Sequence, residues 1–328
     1  MPNDIVATMG LYFRSAELKK IYLIPPSFFG SRTLRKSLNP LTRIKNSRQS
    51  NGPSLLLKGT LLGFREIGIK VVKNLKMHDP FSAPFWIPAG DISALNSKEI
   101  EILSNSNVTL GPNIDWFNID IVNVISKLGH VKVLVPHPWV ISPVAGALPR
   151  NCQVLVWHSG IDTIYWKRQR HSHPVFEVLI YVKNLDDVKN LRIAEEYLQR
   201  NQIPFTILKY GFYTQAQFKS ALNRVSAAIW IGGTESQGLA LLECWSMNVP
   251  TLVLKNDIWQ GADGRSYPAS SAPYLMDSIG LFSNSSIYSE DDFRNFISNL
   301  DNFSPRHSVY ESFSLSACAS NLLKHLEL

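Results

Sequence analysis

The chain has 328 residues, 45% of them hydrophobic and 18% charged, which excludes a disordered polymer and exceeds what one core ordinarily organises, so two domains are expected. Its net charge of +7 favours an anionic partner, a requirement that nucleic acid, an anionic membrane surface and a phosphorylated small molecule all meet. No run nears the roughly 18 apolar residues of a membrane span, and Met1-Pro2-Asn3-Asp4 lacks the marks of a signal peptide, so a cytoplasmic protein is expected.

Short β-branched or aromatic runs alternate with helical stretches, the grammar of an α/β protein with parallel sheets and crossover helices. In chain order the first half offers strands at 21–24, 69–72, 85–87, 108–110 and 131–135. Between the first two lies a basic segment, 31–50, with Arg32, Arg35, Lys36, Arg43, Lys45 and Arg48. It reads as a solvated loop or as a surface for an anion, an acceptor or a membrane. A helix over 54–66 follows, carrying Leu55, Leu57, Leu61, Leu62 and Phe64, and entered through Asn51-Gly52-Pro53-Ser54, where proline suits the helix start.

The second half repeats the pattern with strands at 175–182, 205–209, 227–231 and 251–254 and helices at 186–200, 214–225 and 238–247. A polar join near 166–174 divides the chain into domains 1–168 and 169–328. A last helix, 309–328, suits either domain. Cys152, Cys244 and Cys318 stand far apart and read as small buried hydrophobes. Trp139, Trp157, Trp166 and Trp230 fit burial beside strands better than base stacking.

The chemistry concentrates in 227–254, which runs strand, loop, helix, proline-marked turn, strand. Gly232-Gly233 permits a sharp turn after the strand, and Gly238 clears a side chain where a ligand approaches the backbone. The amides at the helix start, near Gly238 and Leu239, make an anion site that suits a diphosphate. Glu235 precedes that site and Glu243 follows it two turns on; a carboxylate accepts two hydroxyl hydrogen bonds at once, which suits a sugar or ribose diol. The alternative is a loop charge at Glu235 and a surface charge at Glu243. The apolar neighbours Leu239, Leu241, Leu242, Cys244 and Trp245 favour a semi-buried Glu243 with a partner.

Thr234-Glu235-Ser236-Gln237-Gly238-Leu239-Ala240-Leu241-Leu242-Glu243, followed by Asn248-Val249-Pro250-Thr251, resembles the E-x(7)-E donor motif of the retaining family-four glycosyltransferases. Val156-Trp157-His158-Ser159-Gly160-Ile161-Asp162-Thr163 is similar to their interdomain segment, and Ile180-Tyr181-Val182-Lys183 to the first strand of their donor domain. Leu110-Gly111-Pro112-Asn113, Val135-Pro136-His137-Pro138-Trp139-Val140 and Ser304-Pro305-Arg306 look like markers of a subgroup acting on surface glycans. The resemblance implies the GT-B fold, two Rossmann-like domains facing across a cleft, and transfer from a nucleotide-diphosphate sugar to a glycan or lipid-linked acceptor, without metal or further cofactor.

By the same resemblance Glu235 holds hydroxyls of the transferred sugar, Ser236, Gly238 and Leu239 meet the diphosphate, Gln237 belongs to the donor-binding set, Glu243 takes the ribose and Lys183 neutralises the phosphates. Lys189 and Lys209 are candidates for a second phosphate cation. Gly52, Pro53 and Ser54 resemble the glycine loop of the first domain. His137, past a strand end, faces the cleft to contact the acceptor or assist proton transfer, while His158 reads as a structural hydrogen bonder. Rival readings are an epimerase or phosphorylase of the same architecture and a basic nucleic-acid-binding protein.

Overall fold

The computed structural model describes residues 20–23, 52–72, 84–169, 176–261 and 263–328; the basic segment 31–50 lies outside them, as do residues 170–174 of the expected join. Among the described residues six strands form the first sheet: β1 (Lys20–Leu23), β2 (Lys70–Val72), β3 (Phe85–Ala89), β4 (Val108–Asn113), β5 (Val131–Val135) and β6 (Cys152–Val156). Their order is β2-β1-β3-β4-β5-β6, parallel throughout.

In the second half come β7 (Val178–Val182), β8 (Phe205–Lys209), β9 (Ala227–Ile231), β10 (Thr251–Val253), an antiparallel hairpin of β11 (Ile258–Gln260) and β12 (Ser266–Pro268), and β13 (Gly280–Phe282). The second sheet is ordered β13-β10-β9-β7-β8, again all parallel. Both sheets therefore share one winding: the second strand lies on one side of the first, and the third on the other. The reversal falls between β1 and β3 in one sheet and between β7 and β9 in the other. Ligands of open α/β sheets bind outside the carboxyl ends of the strands at such a reversal.

The helices are α1 (Gly52–Glu66), α2 (Ser97–Ser104), α3 (Ile119–Ile125), α4 (Ile141–Ala147), α5 (Val188–Arg200), α6 (Gln215–Arg224), α7 (Leu239–Ser246), α8 (Glu290–Ser298), α9 (Pro305–Phe313) and α10 (Leu315–Leu326). Alternate residues of each strand serve opposite faces. Leu179, Tyr181, Ala228 and Trp230 pack with α6, α7 and α9, whereas Val178, Ile180, Val182, Ile229 and Ile231 pack with α5 and α8. In the first sheet, α2, α3 and α4 cover Ile87, Leu110, Val131 and Val133. Ile21, Leu23, Trp86 and Leu134 are covered instead by Leu56 and Phe64 of α1 and by Ala319, Leu322 and Leu326 of α10.

The expected single helix over 309–328 is two helices. Ser314 is extended (φ −64°, ψ 157°) and pairs with Ile161 of the interdomain segment, whose N–H donates to the Phe313 carbonyl at 2.9 Å. Gly160 lies beneath this break; a Cβ there would sit 2.6 Å from the Ser314 carbonyl oxygen, so the two passages of chain touch only because residue 160 has no side chain. Thus α9 packs on α7 in the second domain while α10 returns to the first. Trp157 Nε1 donates to the Cys318 carbonyl at 2.9 Å, Lys132 pairs with Glu327 at 2.6 Å, and His325 Nε2 lies 3.0 Å from the Val156 carbonyl. Among the described residues no helix is long and apolar enough to cross a membrane.

Candidate active site

The reversal in the second sheet brings two loops together. β7 ends at Val182 and β9 at Ile231, and past that point the amides of Lys183 and Asn184 both donate to the Ile231 carbonyl, at 2.8 and 3.3 Å. Lys183 and the loop beginning at Gly232 consequently share the crevice. Glu235 is fixed in that loop by its own N–H, which donates to the Ser270 carbonyl at 2.7 Å. Its Oε1 pairs with Lys183 Nζ; the carboxylate side chain is 10% exposed and the ammonium side chain 35%. A cation and an anion, each partly desolvated, stand in contact at the mouth of this crevice. The Tyr210 ring lies 5.5 Å from the same ammonium, and Lys209, at the end of β8, is exposed on this edge of the sheet. Lys189 is exposed in the first turn of α5.

α7 starts at Gly238, which has φ +62° and supplies no side-chain cap. A Cβ at Gly238 would meet no protein atom nearer than 3.5 Å, so within the protein the left-handed backbone, not crowding, calls for glycine here. Neither Gly232 nor Gly233 has a positive φ. With no side-chain cap, the first amides of α7 are left to whatever approaches the helix end. Ser236 is exposed beside them. Gln237 reaches the Ser159 carbonyl at 3.5 Å through Nε2, and its buried Oε1 has no protein partner among the described residues.

Leu239 and Glu243 line a cavity of about 250 Å³ whose other walls are Gly160, Asp162 and Trp166 of the interdomain segment, Gln215 of α6, and Leu55, Lys58, Gly59 and Leu62 of α1. Glu243 is 7% exposed, and Gln215 Nε2 donates to its Oε1 at 3.3 Å. Burial pushes its carboxyl up to about 8, so this is an acid held largely protonated at neutral pH. Beside it Tyr181 stacks on Trp230 at 3.9 Å and shares a 2.6 Å hydrogen bond with Tyr213; burial raises both phenols, keeping them neutral.

Gly52, Pro53 and Ser54 are not a loop: they form the first turn of α1, and the cavity meets this helix further along, from Leu55 to Leu62. Proline within the first turn and the apolar spacing of Leu55 and Leu62 explain the helix.

The first domain reaches the crevice from the end of β5. Trp139 Nε1 donates to the Glu235 carbonyl at 3.0 Å, and in return Tyr274 Oη of the second domain donates to the Pro136 carbonyl at 2.7 Å. His137 Nδ1 accepts from the Trp139 N–H at 3.3 Å, and its ring lies 5.6 Å from Tyr274. Burial lowers the His137 pKa, opposed by its hydrogen bond to the Pro273 backbone and assisted by nearby His158. His158 is also lowered by burial and packs 4.6 Å from Phe313, with Nε2 3.3 Å from the Ser312 carbonyl.

Sequence reasoning missed Trp139 as a bridge to Glu235; its signal was the half-apolar, half-polar character of an indole just past a strand end. The Ser304-Pro305-Arg306 segment is also explained: Pro305 opens α9, and the Arg306 guanidinium binds the carbonyls of Ser246 at 2.6 Å, Thr163 at 3.1 Å and Trp166 at 3.2 Å, closing the carboxyl end of α7. Cys244 and Cys318 are buried as expected, whereas Cys152 is half-buried; burial raises all three thiols, Cys152 to about 11 and Cys318 to about 12. Trp157, Trp166 and Trp230 are buried as well.

The chain matches no protein-family model and no curated protein sequence. Its fold does match solved structures. It is similar to AviGT4, a glycosyltransferase involved in avilamycin A biosynthesis, with a TM-score of 0.51 at 10% identity over 94% of this chain and 97% of that one. Sucrose-phosphate synthase from Thermosynechococcus elongatus gives 0.50 at 10% identity, over 94% and 98%. The architecture is therefore the GT-B fold: two parallel-sheet α/β domains with their strand ends turned towards one cleft.

Proposed function

We propose that this protein is a glycosyltransferase that moves a sugar from a nucleotide-diphosphate donor to a glycan or lipid-linked acceptor, with retention and without metal. One observation carries the reading: the Lys183–Glu235 pair stands at the reversal of the second sheet, against the first domain and beside the uncapped start of α7. In this reading Glu235 takes hydroxyls of the transferred sugar. Lys183 exchanges part of its bond with Glu235 for the phosphates, joined there by Ser236 and the amides of Gly238 and Leu239. Charge grows on the diphosphate as it departs, so preorganised amides and an ammonium supply electrostatic stabilisation where it is needed.

Glu243 receives the ribose hydroxyls in the cavity, and the unpaired Gln237 Oε1 accepts a donor from the ligand. Gly52, Pro53 and Ser54 act as a helix end rather than a glycine loop. His137 is assigned as a positioning residue for Trp139, since one ring nitrogen is committed to that residue's amide. The basic segment 31–50 is assigned to contact with an anionic acceptor or a membrane surface.

A thermal-shift panel of nucleotide sugars tests the donor, because a ligand at a hundred times its dissociation constant raises stability by about 2.7 kcal/mol. Absence of any shift across uridine, guanosine, adenosine and thymidine donors would sink the reading.

A further inference from the structure

The hairpin β11–β12 belongs by connectivity to the second domain, yet Trp259 packs against two rings of the first. Its centroid lies 5.9 Å from Phe117 and 6.3 Å from Trp139. Across the hairpin it faces Tyr267, its partner in register, at 5.8 Å. These rings are not core: Trp139, Trp259 and Tyr267 are half-buried and Phe117 is 45% exposed. They form an open-edged platform continuous with the crevice, because Trp139 is the residue whose indole N–H holds the Glu235 carbonyl.

The rim of the platform is polar and exposed. Ser266 donates to Gln260 Oε1 at 3.0 Å, Tyr267 Oη donates to Asp263 Oδ2 at 2.6 Å and the Arg265 N–H to Asp263 Oδ1 at 3.0 Å, so the rim offers the N–H donors of the Gln260 amide and the remaining lone pairs of the Asp263 carboxylate. Aromatic faces are electron-rich, and the axial C–H groups of a pyranose present a positive, apolar face of matching size. Planar amides and carboxylates serve the equatorial hydroxyls around that face. An acyl chain would gain nothing from such a rim. A nucleic acid strand would need several cations, whereas Arg265 stands beside Asp263 at 3.9 Å.

We propose that Trp259, Trp139 and Phe117 form a stacking subsite for a pyranose ring, so that the acceptor is a saccharide brought beside Glu235 from the hairpin side. This rests on the transferase reading for its place in the reaction, but the subsite is testable by itself.

The full chain is titrated with maltotriose, cellotriose, chitotriose and mannotriose, followed by saturation-transfer NMR and tryptophan fluorescence, beside calorimetry with nucleotide sugars. At least one trisaccharide should bind the wild type. Trp259→Ala should weaken that binding about tenfold, Trp259→Phe should recover part of it, and both should keep the wild-type affinity for nucleotide sugar. No trisaccharide binding to the wild type, or equal binding by Trp259→Ala, overturns the subsite. A parallel loss of nucleotide-sugar affinity overturns it too, by making the ring a closure contact between domains. Saccharide binding that depends on Trp259 with no nucleotide-sugar binding at all would instead remove the transferase reading and leave the subsite standing.

Discussion

Trp139 and Glu235 are 96 positions apart and belong to different domains, yet the indole N–H of one donates to the backbone carbonyl of the other at 3.0 Å. The bond fixes the loop that carries the Glu235 carboxylate, and only when the two domains are together. Trp139→Phe keeps an aromatic ring but removes the donor. It should cost about 1 kcal/mol of stability in chemical denaturation, with a larger proportional fall in turnover than in nucleotide affinity, as expected when closure and not binding is impaired. Unchanged turnover would mean that the contact is incidental to the chemistry.

Glu243 makes the pH dependence calculable in sign. Its carboxyl is raised from 4.5 to about 8 by burial. Below the lower value, folded and unfolded chains both hold the proton. Between the two, the unfolded chain releases it and the folded chain does not, so folding stability falls as pH rises through this window and levels off above it. Glu243→Gln should flatten that fall, worth on the order of a few kcal/mol across the window. If the carboxylate receives ribose hydroxyls, nucleotide-sugar affinity should rise over the same window in the wild type and stay level in Glu243→Gln. Calorimetry in buffers of different ionisation enthalpy would register the released proton.

Lys183 and Glu235 should show strong coupling. Lys183→Met leaves a buried carboxylate without its cation, whereas Lys183→Met with Glu235→Gln leaves two neutral groups. The double variant should therefore be the more stable of the two, with a coupling of about 1–2 kcal/mol after allowance for the partial exposure of Lys183. Glu235→Gln alone should lower turnover while leaving bare nucleotide diphosphate binding nearly unchanged. Glu243→Gln should weaken bare nucleotide and nucleotide sugar alike, by about 1.5–3 kcal/mol.

Since the proposal meets phosphate charge with Lys183 and main-chain amides, transfer should continue in excess EDTA. Loss of turnover with chelator, restored by manganese or magnesium, would require a metal in the reaction.

Gly160→Ala should be among the more damaging small substitutions, because its Cβ would sit 2.6 Å from the Ser314 carbonyl oxygen and 3.0 Å from the Leu315 Cα. Backbone must move, at about 1–3 kcal/mol by analogy with overpacked cores. A denaturant midpoint equal to the wild type would show that the break between α9 and α10 yields freely.

Much of the second domain could be read in advance because its signals are local. Thr214 caps α6 with Gln217 completing a capping box, and β8, β9 and α6 begin and end where apolar runs meet polar stops. α2, α3 and α4 are at most eight residues long, too short for a helical period to declare itself; α7 is as short but was marked by Gly238 before it and the Asn248-Val249-Pro250 turn after it. The crevice was partly legible: Glu235, Gly238 and Glu243 sit near one another in sequence. Their relation to Trp139, to α1 and to the hairpin depends on how two separately wound sheets dock, which no local pattern records. Gly52, Pro53 and Ser54 misled because glycine and proline mark both a loop and a helix start. The break at Ser314 was hidden because its cause, Ile161, lies 153 positions upstream.

The return of α10 to the first sheet has a consequence for how the protein is made. One face of that sheet is sealed by Leu322 and Leu326, both fully buried, at about 1.5–3 kcal/mol for each side chain. Synthesis proceeds from the amino end, so Ile21, Trp86 and Leu134 wait for partners that follow the whole second sheet in the chain. Of the two domains, the one translated earlier is thus completed later. A nascent chain stalled before residue 315 should display an adhesive half-sheet to chaperones, while the carboxyl-terminal sheet of the same chain already holds its fold.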